Sequence, residues 1–156
     1  MNETSIPKRF TYDTVAVGQR SRSKARTVTE ADHGLFVMLT GAWHPIHCDD
    51  AFARASGAPG RLVQGTFGIA LALGSHLESE IFESADPLIS ALGVQEWSYK
   101  QPIFIGDTLH LEVEIADKRL TSAGDRYIVD RHVSLVNQRG EVVQSGIARS
   151  MWRRSV

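Results

Sequence analysis

The sequence has little cysteine, almost no charge imbalance and no long apolar run, and each shortage closes off a class of protein. A single cysteine, Cys48, cannot form an internal disulfide. A disulfide-stapled scaffold is therefore excluded, and a reducing compartment such as the cytoplasm is expected. The 17 Lys and Arg against 18 Asp and Glu leave a formal net charge of −1. No strong field draws nucleic acid or an anionic membrane, so neither partner is expected. The longest apolar stretch, Phe67 to Leu73, includes Gly68 and is far too short to span a bilayer. Met1 to Phe10 is polar and lacks the apolar core of a secretory signal. Repeats, low-complexity tracts and linkers are missing too. With 156 residues, one domain over 1–156 is expected. At this size roughly 68–70% of the unfolded surface is buried, enough for a core without staples.

What is present has a clear order. Phe10 to Val17 is a lead-in, and Arg20 to Val28 is polar but extended, suited to an outer strand. Thr29 is placed to cap a helix, with Glu30 and Asp32 in its first turn. Leu35, Phe36, Met38 and Leu39 supply that helix with an apolar face, and Thr40-Gly41 ends it. Trp43 to Asp49, with a proline and two histidines, reads as a loop, and Asp50 to Ser56 as a short helix closed by Gly57. A helix from about Gly65 to Phe82 follows. Its first half is apolar nearly all round, which predicts burial. Gly65, Gly68 and Gly74 weaken it by up to about 1 kcal/mol each relative to alanine, so close packing on a sheet must offset them. The remainder is strand-like: Leu88 to Lys100, an alternating run from Leu109 to Ile115, Tyr127 to Val136, a hairpin turn at Asn137 to Gly140, and Glu141 to Trp152. The fold class is α+β, a curled antiparallel sheet around one buried helix. Such a sheet leaves an open edge, which dimerisation would cover.

The chemistry gathers between Thr40 and Asp49 and at Arg61 to Gly65. His44 and His47 lie three apart beside Pro45, and histidine exchanges protons near neutral pH. The first amides of the helix beginning at Gly65 have no helical partners and carry the positive end of its dipole, which suits an oxyanion. Plainer roles exist for several neighbours. Asp49 is suited to capping the next helix. Cys48 needs no more than a packed position, and His33, His76, His110 and His132 fit solvated faces. His44, His47 and Asp49 have zinc-binding chemistry, but nothing nearby completes a set, so no metal is expected. Arg149, Arg153 and Arg154 form a basic cluster that suits either a solvated strand end or the phosphates of a ligand.

The segment Gly41-Ala42-Trp43-His44-Pro45-Ile46-His47-Cys48-Asp49 resembles the hydratase motif of the MaoC-like family, approximately Gly-Asp-x-Asn-Pro-x-His-x-Asp. Val63-Gln64-Gly65 stands where that family has an apolar-His-Gly step into its central helix. Pro102-Ile103-Phe104-Ile105-Gly106-Asp107-Thr108-Leu109 is similar to a later family feature. The combination is fairly specific, and the likeness runs from about Gly18 to the last strand.

The resemblance implies a hot-dog fold, a homodimer or higher homo-oligomer, and reversible hydration of an enoyl-CoA to a (R)-3-hydroxyacyl-CoA. Coenzyme A would be part of the substrate, with no separate cofactor. His47 matches the proton-transferring histidine and Gly65 the main-chain donor to the thioester carbonyl. Trp43, His44, Pro45, Gln64 and Thr66 would surround the acyl group, and His44, where the family has asparagine, would accommodate a polar or carboxylated chain such as mesaconyl. Ala42 stands where the family has its aspartate, and alanine cannot move a proton. Loss of one acid–base group typically costs about 10²–10⁴-fold. Three accounts remain open at this point: a deliberately disabled variant, a natural member that binds without hydrating, and compensation by His44 or Asp49. A non-catalytic acyl-thioester binder and a hot-dog thioesterase are the alternative functions.

Overall fold

The computed structural model describes residues 15–75 and 88–154. The lead-in falls mostly outside them, as do His76 and the end of the helix expected to reach Phe82. The outer segment is two short strands, β1 (Arg20–Arg22) and β2 (Arg26–Thr27). Helix α1 (Glu30–Thr40) begins where Thr29 accepts from the Asp32 amide and the Asp32 carboxylate accepts from the Thr29 amide. A cap of this kind contributes about 1 kcal/mol. These Thr29 hydrogen bonds, from the side chain first, hold the Asp32 carboxyl below its usual range. Gly41, at φ 68°, ends the helix by returning its amide to Val37 O.

Two short pieces follow, the one-turn α2 (Pro45–Cys48) and α3 (Asp50–Ala55), and then α4 (Gly65–Ser75). The sheet is completed by β3 (Leu88–Tyr99), β4 (Thr108–Leu120), β5 (Arg126–Val136) and β6 (Val142–Arg153). Strand order is β1-β4-β5-β6-β3, with β2 also on β4, and all pairs are antiparallel. The sheet stays open, with β1 and β3 at its edges.

Apolar residues at every second position of β4 explain its half-buried register: Leu109, Leu111, Val113 and Ile115 are all under 3% exposed. They join two core clusters. One gathers Leu111, Val113, Ile115, Val129, Val133 and Trp152; the other gathers Val28, Val63, Phe67, Ile103, Leu109, Leu135 and Val143. The second cluster seats the first turn of α4 on the sheet.

Glycines allow that seat to be close. A Cβ on Gly65 would stand 2.8 Å from the Tyr99 ring, and one on Gly68 would stand 2.3–2.4 Å from the Gln144 amide atoms. Tyr99 and Gln144 are themselves partners across β3 and β6. The sequence expectation that sheet packing offsets the glycines therefore holds at two of three positions; Gly74 faces open space.

Four expectations need correction. The stretch around Pro45 is not a loop but the one-turn helix α2, because proline fits the first helical position, where no amide donor is needed. On α1 the inward residues are His33 and Val37, while Leu35, Met38 and Leu39 are 68%, 69% and 82% exposed. Helix α4 is not enclosed: Phe67, Gly68 and Ala72 are buried, but Ala70 and Leu73 are exposed. One open sheet covers only one side of a helix. His110 is buried rather than solvated, with its Nδ1 3.2 Å from an Arg22 nitrogen and its Nε2 3.3 Å from Glu112.

Candidate active site

Helix α2 is built from its own residues. His44 is the N-cap, its Nδ1 accepting from the Ile46 amide at 3.2 Å. In the motif that this segment resembles, asparagine would do the same through its side-chain oxygen. The departure at His44 therefore preserves a cap. Asp49 closes α2 and opens α3, its carboxylate accepting from Phe52 N at 3.0 Å. That capping role is the one the sequence assigned to it.

The α2 turn is bound to the strand-like segment that leads into α4. Leu62 N donates to Ile46 O at 3.1 Å, and His47 Nδ1 lies 2.7 Å from Leu62 O. Leu62 also bridges to Phe104, and Val63 N donates to Ile103 O at 2.9 Å. A carbonyl oxygen only accepts, so His47 Nδ1 must carry the hydrogen. The neutral ring then keeps a lone pair on Nε2, the tautomer a general base needs. The half-buried imidazole is thus anchored three residues ahead of Gly65.

A second histidine supports the first. His33 is 3% exposed, and its Nε2 lies 2.7 Å from the main-chain oxygen of His47. Sequence reasoning put it on a solvated face. The signal that finds it is its i,i+4 spacing to Val37, the other buried residue of α1.

Gln64 joins α1 to α4. Thr40 Oγ1 lies 2.7 Å from Phe36 O and 2.9 Å from the Gln64 side-chain amide. The hydroxyl has one proton, so both bonds form together when the Gln64 nitrogen faces Thr40. Beyond it, Phe67 N donates to Gln64 O at 3.0 Å. The Gly65 and Thr66 amides come before the first amide that the helix itself can use.

The remaining candidates are less tightly placed. Ala42 is half-buried between Gly41 and α2, its carbonyl 4.0 Å from Cys48 Sγ. The His44 and His47 rings meet edge-on at 6.4 Å between centroids. Trp43 is 62% exposed, and Thr66 is exposed as well. Cys48 is exposed, not packed, because α2 is one turn long and turns His47 inward instead. Among the described residues, no three His, Cys, Asp or Glu side chains are grouped to hold a metal, and no helix is long and apolar enough to cross a membrane.

A cavity of about 270 Å³ opens beside this region, lined by Leu62, Gly65, Tyr99, Lys100, Gln144 and neighbours. The basic cluster near the C-terminus is partly committed elsewhere. Arg149 makes a two-pronged bond to Asp130 with both distances 2.6 Å, and this bond holds the Asp130 carboxyl below its usual range.

Among known families, the MaoC like domain matches residues 13–136. The chain belongs to the MaoC-like dehydratase family. Its hot-dog architecture is the expected one: an antiparallel sheet, open at its edges, with α4 on one face. The mesaconyl-CoA hydratase of Cereibacter sphaeroides is 30% identical over 129 residues, covering 83% of this chain and 36% of that protein. The chain spans about a third of the length of the curated relatives it matches. The MaoC-like dehydratase from Rhodospirillum rubrum is 30% identical with a TM-score of 0.76, covering 93% of this chain and 98% of that one. The (R)-hydratase from A. caviae is 26% identical with a TM-score of 0.71, covering 88% and 96%. These three relatives are a hydratase, a dehydratase and a hydratase by name.

Proposed function

We propose that this MaoC-like chain binds an acyl-CoA thioester between the His47 imidazole and the first amides of α4, and that it acts in reversible hydration of an enoyl-CoA with activity curtailed at Ala42. The observation that carries this reading is the bond from His47 Nδ1 to Leu62 O, which fixes the tautomer and ties the ring to the α4 entrance. In the forward direction Nε2 takes a proton from water as the oxygen adds to C3 of the enoyl chain. Negative charge moves to the thioester oxygen, where Gly65 N–H and the helix dipole stabilise it. The proton held on Nε2 then passes to C2, which restores the carbonyl and the neutral ring. An aspartate at position 42 would hold the water and share in these transfers; a methyl group does neither. Trp43, His44, Pro45, Gln64 and Thr66 are the candidates to shape the acyl site, with crotonyl and mesaconyl thioesters the first chains to try. The addition of water is acid–base chemistry and calls for no redox cofactor.

A second reading, thioester binding without turnover, is favoured by Ala42 itself. Melting curves and absorbance separate the two. Crotonyl-CoA at about 100 times its Kd should stabilise the chain by about 2.7 kcal/mol. Slow loss of the conjugated thioester absorbance, abolished by His47→Ala, supports hydration. Stabilisation without that loss leaves binding, and release of free thiol instead identifies a thioesterase. If no CoA thioester raises the melting temperature, the site assignment is wrong.

The chain is further proposed to act as a homodimer. Strand β3 is a 12-residue edge, and Leu88, Ile89, Leu92, Val94 and Tyr99 on it are all exposed. An unpaired apolar edge of this length calls for a partner, and a second copy of β3 supplies one. Light scattering should give twice the chain mass; a monomer at micromolar concentration would remove this part of the proposal.

A further inference from the structure

Gln144 lies on β6, far in sequence from the motif, and is 2% exposed. Both ends of its amide are occupied. Trp97 Nε1 donates to Oε1 at 3.0 Å, and Nε2 donates to Gly65 O at 3.1 Å. The Trp97 bond settles which end is oxygen, since an indole N–H only donates. The amide also lies directly under Gly68, with no room for a Cβ between them. A polar side chain this deep, with both ends bonded, holds its partners in one arrangement.

We propose that Gln144 is a positioning residue that aims and polarises the amides at the start of α4 toward a ligand carbonyl. Gly65 C=O and Thr66 N–H belong to one peptide unit. A bond donated to that oxygen draws electron density toward it and leaves the Thr66 hydrogen more positive, as in any chain of hydrogen bonds. The preceding unit is treated alike, because Gln64 O accepts from Phe67 N. Gln144 thus acts from behind on the Thr66 amide, the neighbour of the Gly65 donor, while its own amide stays engaged with Trp97 and Gly65. Tyr99, its cross-strand partner, lies against Gly65 and blocks sideways movement of the helix start.

The inference rests on the reading of these amides as carbonyl donors, and the test separates the two. Butyryl-CoA carrying a ¹³C carbonyl is bound to the full chain, and its C=O stretch is recorded by difference infrared spectroscopy. A thioether analogue lacking the carbonyl reports affinity that owes nothing to polarisation. In the unaltered protein the stretch should move to lower wavenumber than in solution. Gln144→Met, similar in size but without a donor, should shrink that movement and lower the preference for thioester over thioether by about three- to tenfold, the worth of one weakened hydrogen bond. Thioether affinity should hold. Trp97→Phe keeps the Gln144 donor but frees its other end, and should shrink the movement by less; it serves if Gln144→Met does not fold. An unmoved band in the unaltered protein overturns the carbonyl site and this inference with it. A moved band that both variants leave intact overturns only the role of Gln144, as does an equal loss of thioether affinity.

Discussion

Ala42→Asp should raise crotonyl-CoA hydration by about 10²–10⁴-fold over the parent chain, the usual worth of one well-placed acid–base group. The rest of the candidate machinery is already built. His47 has its tautomer set by Leu62 O, and its backbone is held by His33. The two residues put forward to stand in for an aspartate are both engaged elsewhere. Asp49 is engaged as the α3 cap, and His44 Nδ1 as the α2 cap. Compensation is therefore the weakest of the three accounts of position 42. Adding His47→Ala to Ala42→Asp should bring the rate down to the parent level or below, since the aspartate shares its proton transfers with His47. The gain should fall in kcat rather than KM, because Ala42 is placed to affect proton transfer more than thioester capture. An Ala42→Asp chain that binds crotonyl-CoA as the parent does, yet hydrates it no faster, would refute the vacated-position account.

The largest stability effect is expected at Gly68. Its missing side chain makes room for the Gln144 amide, and a methyl there would overlap atoms at 2.3–2.4 Å. Gln144 cannot swing aside without abandoning Trp97 Nε1 and Gly65 O, and each deserted buried group costs about 1–3 kcal/mol. Overpacking adds about 1–3 kcal/mol, and the better helix propensity of alanine returns only about 1 kcal/mol. Gly68→Ala should therefore lose at least about 2 kcal/mol, seen as a lower urea midpoint at constant m-value. Gly74→Ala is the control: the same chemical change faces open space and should stabilise α4 slightly. Were the two glycines to respond alike, close approach would not be the reason for Gly68. Combining Gly68→Ala with Gln144→Ala should cost less than the sum of the two, since the overlap disappears.

How far the sequence reveals this protein depends on how local each feature is. Thr29, Gly41 and the alternation in β4 act on residues a few positions away, and all three are legible. The motif groups His47 with the entrance to α4, and the two are joined by one backbone bond, Leu62 N to Ile46 O, and by the side-chain bond of His47 to Leu62 O. Gln144 is not legible. Its partners lie 47 and 79 residues away, and a lone glutamine within an apolar strand carries no period that announces burial. Pro45 misleads for the opposite reason: as a local breaker it suggests a loop, although the same ring geometry is what starts a helix. Leu35, Met38 and Leu39 follow helical spacing, but spacing cannot tell which of two apolar stripes meets the sheet.

The solitary thiol next to the candidate base has a practical side. Because Cys48 is exposed and is the sequence's only cysteine, a maleimide dye attaches at one address without any thiol having to be engineered away. That address is one residue from His47, so the fluorophore reports from the rim of the candidate site. Occupancy could then be followed as colour in a cuvette, thioester by thioester, even for ligands that the protein never converts.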